Sequence, residues 1–121
     1  MTTPEKKGKD KVKSIFEHTP TTEKKVKAKV KSILDKVGAY YCMPATGGYG
    51  ASGIPDIIAC YKGLFLGIEC KANGNKATAL QTKHLTLIKQ AGGFSVVIDE
   101  HNIDTLEPTL KHFCGSVGNI C

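Results

Sequence analysis

The first regular pattern of apolar positions in the chain lies between residues 26 and 37. Five apolar side chains recur there at helical spacing and form one stripe, made of Val26, Val30, Ile33, Leu34 and Val37. Upstream, Thr19 followed by Pro20 is a typical helix start, and Gly38 directly after the stripe is a typical helix end. The pattern therefore predicts an amphipathic helix from about Thr19 to Val37.

Glu23 is the charged residue of this helix that falls on the apolar stripe, whereas most of the lysines lie beside it. It precedes Val26 by three positions and Val30 by seven. A glutamate in the first turn can serve simply to favour the helix dipole. The alternative is that its carboxylate points toward one end of the sheet that the helix covers.

Four further segments have the character of strands. Residues 56–61 and 64–71 are apolar on both faces and are separated by the tight turn Lys62-Gly63, which predicts a hairpin of central strands covered on both sides. Residues 39–46 predict an earlier strand that Pro44 keeps at the edge of the sheet. Residues 94–98 predict a fourth strand.

The remaining segments complete an α/β pattern. A helix is predicted from about residue 78 to 91, with Gly92-Gly93 as its stop, and a short helix over 103–112 is interrupted at Pro108. The order α-β-β-β-α-β indicates a mixed sheet with helices on both faces. At 121 residues the chain fits a single domain, which we assign to residues 19–121, after a flexible basic arm over residues 1–18.

The register of the hairpin brings two acids together. If Tyr61 pairs with Leu64 across the turn, Asp56 pairs with Glu69, with their Cβ atoms about 5 Å apart. Like charges in that position repel each other and need a positive partner. Lys71 lies two residues after Glu69 and on the same face. Two carboxylates and a lysine at one end of an apolar hairpin predict a divalent metal site.

The charge of the chain favours a polyanionic partner. All 17 basic residues are lysines, and the formal net charge is +6. Arginine is the usual reader of guanine edges, so its absence argues for phosphate contacts rather than base readout, unless it only reflects genome composition. No apolar run is long enough to cross a membrane, and the lysine-rich N-terminus lacks an apolar signal-peptide core. We therefore expect a cytoplasmic protein without membrane contacts.

The five cysteines indicate reduced thiols. Their number is odd, and no pair has the CxxC spacing of a zinc site. Cys60 and Cys70 fall inside the predicted strands, where we expect them to be buried.

Residues 47–53 form a glycine-rich segment with a GxGxxG pattern at Gly48, Gly50 and Gly53. A dinucleotide site would need a helix to begin there, yet Pro55-Asp56 leads into a strand. We therefore reject the dinucleotide interpretation. A glycine loop beside the carboxylates suits the close approach of a substrate backbone.

In its Pro55-Asp56 pair and its Glu69-Cys70-Lys71 triplet the chain resembles the PD-(D/E)XK nuclease superfamily. It is most similar to the VRR-NUC branch, which includes small stand-alone phage nucleases and is similar to Holliday-junction resolvases. The resemblance covers roughly residues 20 to 105 and includes Glu23, the GxSGIPD run that ends at Asp56, and Gln81 in the next helix.

The resemblance implies a restriction-endonuclease-like core and Mg²⁺-dependent hydrolysis of DNA phosphodiester bonds, with Mn²⁺ as a substitute. It implies Asp56, Glu69 and the backbone carbonyl of Cys70 as metal ligands, and Lys71 as the group that positions or deprotonates the attacking water. Glu23 would hold the metal through water or bind a second ion.

Further roles follow from the same resemblance. Gln81 would orient Lys71 or a phosphate, although Thr78-x-x-Gln81 also fits a capping box, which the pattern alone favours. The expected DNA contacts are Gly50, Ser52, Gly53 and Lys76. Branched DNA, such as a Holliday junction or a flap, is the expected substrate, bound by a homodimer with no other protein partner.

Two other functions compete with the nuclease hypothesis. A non-catalytic DNA-binding module with the same fold would bind DNA without Mg²⁺-stimulated cleavage. A structural domain could use Asp56, Glu69 and Lys71 as a simple ion network, because buried ion networks do occur. Such a network would show no metal-induced rise in melting temperature.

Overall fold

The structure is a computed structural model that describes residues 21–45 and 52–117, with side chains to residue 113. The basic arm predicted over residues 1–18 and the predicted DNA contact Gly50 lie outside the described residues. In chain order the elements are α1 (Glu23–Val37), β1 (Tyr40–Cys42), β2 (Ile57–Tyr61), β3 (Leu64–Cys70), α2 (Ala79–Gln90), β4 (Phe94–Ile98), a 3₁₀ turn (Ile103–Thr105) and α3 (Leu106–Val117).

The four strands form one mixed sheet in the order β1-β2-β3-β4. β1 pairs antiparallel with β2, β2 pairs antiparallel with β3, and β3 pairs parallel with β4. The α/β class, the mixed sheet and the edge position of β1 are therefore confirmed. β1 is shorter than predicted, with only three residues.

One face of the sheet carries the main core. Alternate residues of β2 and β3 point into it, and α1 and α3 cover it. Its fully buried side chains include Leu34, Ile57, Leu66, Ile68 and Leu110. Burial of these aliphatic side chains is the main driving force that holds the two helices on the sheet.

The opposite face is covered by α2 over β3 and β4. Gly67 of β3 lets the helix approach closely, because a Cβ atom at this position would collide with Ile88. Ser95 of β4 is buried at the same contact, and its hydroxyl donates a 2.6 Å hydrogen bond to the carbonyl of Leu85. Helices thus lie on both faces of the sheet, as predicted.

The prediction that both strands of the hairpin are covered on two sides is wrong for part of this face. Phe65 is 46% exposed, and Cys60, which we expected to be buried, is exposed. The physical reason is that α2 packs over β3 and β4, so the outer face of β2 has no covering element among the described residues. Cys70 is buried as predicted.

The start of α1 also differs from the prediction. The helix begins at Glu23, and Thr22 rather than Thr19 is the N-cap, because its extended backbone lets its hydroxyl accept a hydrogen bond from the Lys25 amide. The end at Val37 is confirmed, and Gly38 adopts the left-handed conformation that closes the helix.

The last helix is longer than predicted and is not interrupted. α3 begins at Leu106 and runs to Val117, so Pro108 lies in its first turn. A proline there costs no intrahelical hydrogen bond, since the first amide groups of a helix have no partner within it. No helix among residues 21–45 and 52–117 is long and apolar enough to cross a membrane.

Candidate active site

The register of the hairpin is the one that the sequence predicts. Tyr61 pairs with Leu64 and Ile57 pairs with Ile68, so Asp56 and Glu69 are the next opposed positions beyond the paired part of β2. Here β2 begins while β3 and β4 end, because β4 runs parallel to β3. The sheet therefore brings both acids to one end, which we call the acidic end.

Asp56 has a separate partner for each of its oxygens. Its Oδ2 accepts a 2.9 Å hydrogen bond from the backbone amide of Cys70. This bond to a side chain follows directly after the backbone hydrogen bonds that pair β2 with β3. Its Oδ1 lies 3.6 Å from the ammonium group of Lys27 on α1. We had not predicted the involvement of Lys27, because helical periodicity places this residue beside the apolar stripe among other lysines.

Glu69 is almost completely buried, with 1% of its surface exposed. Its Oε2 lies 3.3 Å from the ammonium group of Lys71, which is also buried. Its Oε1 is buried and has no hydrogen-bond partner among residues 21–45 and 52–117. A buried carboxylate oxygen without a partner is costly, so the site is short of one positive or hydrogen-bonding group.

The burial of Glu69 changes its acidity. Desolvation and, second to it, the nearby negative charge of Asp56 raise the pKa of Glu69 to about 6, although Lys71 opposes the shift. One lysine is therefore not enough to offset burial beside a second acid. A divalent cation at this position would favour the ionised form of both carboxylates.

Cys70 contributes its backbone rather than its thiol. Burial raises the pKa of the Cys70 thiol to about 12, with a further contribution from Asp56, so the thiol stays neutral. In the neighbouring residue, the Lys71 amide bonds to the carbonyl of Ile98 on β4. Backbone groups alternate along a strand, so the amide and carbonyl of Cys70 face the β2 side, where Asp56 lies.

Glu23 lies in the first turn of α1 and is partly buried. Its charge is one of those that raise the pKa of Cys70, which places it in the electrostatic surroundings of the acidic end. Within residues 21–45 and 52–117, however, no group of three or more His, Cys, Asp or Glu side chains is close enough together to hold a metal ion. The side-chain oxygen donors that the structure does bring together are those of Asp56 and Glu69.

Gln81 forms the capping box that its spacing from Thr78 indicated. Its Oε1 accepts a 2.8 Å hydrogen bond from the Thr78 amide, and its own amide donates to the Thr78 hydroxyl at 3.2 Å. The side-chain oxygen is therefore engaged at the start of α2.

The expected DNA contacts lie around the loops that flank the hairpin. Ser52 and Lys76 are exposed. Gly53 has a φ of +85°, and a Cβ atom there would lie 2.8 Å from the backbone of Leu80. Glycine at this position is therefore required by the close approach of the loop to α2, whatever else the loop contacts.

The loop after β3 is hydrogen-bonded both to the loop after β4 and to the segment before α1. The backbone amide of Asn73, which has a φ of +57°, donates a 2.9 Å hydrogen bond to Oε2 of Glu100. The Asn73 side-chain amide donates to the carbonyl of Thr21, just before α1. These bonds connect the segments after β3 and β4 to the N-terminal end of α1, which carries Glu23 and Lys27.

No protein-family model matches this chain, and no curated protein is similar to it at a significant level.

Proposed function

We propose that the protein is a metal-dependent DNA endonuclease of the PD-(D/E)XK type, with a restriction-endonuclease-like core. The observation that carries the proposal is the buried Oε1 of Glu69, which has no partner in the part of the chain that the structure describes. Glu69 is nevertheless the residue opposed to Asp56, and its Oε2 lies beside Lys71. A carboxylate pair that is short of one cation fits a site for Mg²⁺, whose preferred ligands are oxygens. Mn²⁺ can take the same ligands.

Three groups would hold the metal directly. Glu69 supplies its unpartnered oxygen, Asp56 supplies Oδ1, and Cys70 supplies the backbone carbonyl on the β2 side. Two carboxylates and a carbonyl leave positions for water and a phosphate oxygen, as Mg²⁺ usually requires. Glu23 would act through water or a second ion. When bound, the metal supplies a water of lowered pKa and stabilises negative charge on the phosphate.

Lys71 acts on the attacking water and on the developing charge. Its ammonium group is held at 3.3 Å from Glu69, and only 8% of the residue is exposed. A buried cation of fixed direction is worth more to a charged transition state than an exposed one. The ion pair with Glu69 directs the Lys71 side chain.

The substrate is DNA, and we expect structure-selective cleavage of branched forms such as four-way junctions or flaps. The net charge of +6 favours a phosphate backbone. With no arginine in the chain, bidentate reading of guanine by a guanidinium group is excluded. Contacts to phosphates recognise the shape of DNA more than its sequence.

The proposal includes a homodimer, which would place two active sites on one junction. An open apolar surface supports a second copy. Tyr40, Cys60 and Phe65 lie side by side in register on β1, β2 and β3. Tyr40 is 79% exposed and Phe65 46%, and Leu80 and Leu87 of α2 are exposed as well. Exposed apolar patches of this kind are typical of interaction sites.

The test is cleavage of a four-way junction, a flap and a linear duplex, with Mg²⁺ and with EDTA, together with the solution mass. We expect Mg²⁺-dependent cleavage by the wild type and a loss of about a hundredfold or more in Asp56→Asn, because removal of a residue that only supports a metal ligand already costs about 10- to 100-fold. The matched control is Asp104→Asn, which breaks an exposed pair with Lys29 elsewhere on the surface.

The outcomes separate the competing functions. Binding of branched DNA without cleavage in any metal would identify the non-catalytic module instead. Full activity in Asp56→Asn would show that the acidic end is not the active site.

A further inference from the structure

Lys27 lies at the acidic end, and neither the motif nor the proposed mechanism accounts for it. It projects from α1 and places its ammonium group 3.6 Å from Oδ1 of Asp56. Its side chain is 30% exposed, whereas Lys71 is nearly buried. Of the two lysines at the site, Lys27 is the one with room to move.

The position of Lys27 coincides with the face of Asp56 that a metal would need. Oδ2 of Asp56 is already held by the Cys70 amide, so Oδ1 is the oxygen left for an additional partner. In the structure that partner is Lys27. A cation bound between Asp56 and Glu69 would repel the ammonium group, since both would occupy the same side of one carboxylate.

From this geometry we infer that Lys27 is an exchangeable counter-ion: it occupies the cation position at Asp56 in the metal-free protein, and a bound divalent metal displaces it onto a DNA phosphate. The inference rests on the proposed function and names a DNA-positioning residue of that site. Lys27 thereby opposes metal binding in the absence of DNA and strengthens DNA binding once the metal is present.

The neighbouring lysines of α1 indicate the surface on which a displaced Lys27 side chain would contact DNA. Lys24, Lys27 and Lys31 are spaced by three and four positions on α1, so they lie along one side of the helix. The rise between Lys27 and Lys31 is about 6 Å, which is close to the spacing of successive phosphates on one strand. This row of lysines, which begins at the acidic end, is suited to a nucleic acid backbone.

The first arm of the test measures metal binding without any turnover. Mn²⁺ is titrated into full-length wild type, Lys27→Met and the control Lys29→Met, and bound metal is followed by calorimetry or electron paramagnetic resonance. Lys29 lies on the same helix and is also 3.7 Å from an aspartate, Asp104, away from the site. We expect Lys27→Met to bind Mn²⁺ about three- to tenfold more tightly, because a nearby positive charge is removed, and Lys29→Met to match the wild type.

The second arm measures affinity for a four-way junction in a background that does not cleave it, Lys71→Met. Adding Lys27→Met should weaken DNA binding severalfold in Mg²⁺ and much less in EDTA, where Lys27 is held by Asp56. In Mg²⁺ the slope of log affinity against log salt should fall by about 1, the value for one lost phosphate contact.

The two arms fail in different ways. If the wild type binds no Mn²⁺, the proposed metal site and this inference are both wrong. If the wild type binds Mn²⁺ but Lys27→Met binds it equally or more weakly, the metal site stands and the counter-ion role is overturned. Equal loss of DNA affinity in Mg²⁺ and in EDTA would make Lys27 an ordinary phosphate contact, which also contradicts the exchange.

Discussion

Two clusters of acids and lysines in this protein differ in how completely they are neutralised. On the surface between α1 and α3, Glu107 is paired with both Lys36, at 3.2 Å, and Lys111, at 2.9 Å. At the acidic end of the sheet, within the described residues, the buried Glu69 has one lysine, a neighbouring acid and an oxygen without a partner.

The two clusters shift the acidity of their glutamates in opposite directions. Hydrogen bonds from Lys111 and Lys36 lower the pKa of Glu107 below its ordinary value. Desolvation and the charge of Asp56 raise the pKa of Glu69 to about 6. The surface cluster satisfies the charge of its glutamate with two lysines. The acidic end lacks that balance, which supports our proposal that it binds a cation.

The largest expected effect comes from removing Lys71, with Lys111 of the surface cluster as the comparison. Lys71→Met leaves Glu69 buried and unpaired, so we expect a loss of about 3 kcal/mol in the free energy of unfolding at pH 8, together with loss of cleavage. Lys111→Met should leave both the melting temperature and cleavage nearly unchanged, because Lys111 is exposed and its partner Glu107 keeps Lys36. Thermal and chemical unfolding in EDTA measure the difference. Equal stability of the two variants would remove the distinction between the clusters.

The pH dependence of stability is the next largest effect. The folded pKa of Glu69 lies above its ordinary value of 4.5, so its contribution is fully present below pH 4.5 and is lost as the pH rises through about 6. The loss amounts to about 2 kcal/mol. Glu69→Gln should therefore be more stable than the wild type at pH 8 in EDTA and should lose this part of the pH profile.

Glu107→Gln is the matched control for the pH dependence that we assign to Glu69. Glu107→Gln removes the carboxylate whose pKa is lowered, so its difference from the wild type should have the opposite sign: the variant loses stability above the ordinary pKa of a glutamate. Unfolding of the three proteins between pH 4 and pH 8 gives the comparison. A Glu69→Gln variant that is less stable at pH 8 would mean that the ionised carboxylate is satisfied in the fold.

The smallest expected effect concerns Gln81, which caps the N-terminus of α2. Gln81→Ala removes one half of the capping box, so we expect a loss of about 0.5 kcal/mol in stability and cleavage within about twofold of the wild type at a temperature where both are folded. Thr78→Ala is the control, because it removes the other half of the same box. A large loss of cleavage in Gln81→Ala alone, with Thr78→Ala active, would place Gln81 in the active site after all.

Much of the fold could be predicted because local pattern and tertiary structure agree. The apolar stripe of α1, the turn at Lys62-Gly63 and the capping box at Thr78 each report on residues close in sequence. The hairpin turn also fixes the pairing of every residue along β2 and β3, so the opposition of Asp56 and Glu69 followed from a local feature. The start of α1 is an exception, because the sequence predicts Thr19 as the N-cap and the structure has Thr22 in that role.

The features that the sequence did not predict depend on packing between residues far apart in the chain. The exposure of Cys60 depends on where α2 lies over the sheet, and that position depends on Gly67 and Ile88, which are 21 positions apart. The Lys27–Asp56 contact depends on how α1 crosses the sheet, which no periodicity in the chain contains. The same packing leaves Oε1 of Glu69 without a partner.

The sequence by itself determined which residues meet at the end of the hairpin, because a two-residue turn and a period of two leave one register that keeps the apolar side chains together. Only the tertiary structure decided how far the charges of these residues are compensated by their surroundings. Packing of the helices on the sheet buries Glu69. The Cys70 amide donates to one oxygen of Asp56, and Lys27 of α1 lies beside the other oxygen. Electrostatic energy depends on distance and on exclusion of water, and neither is fixed until the helices are in place.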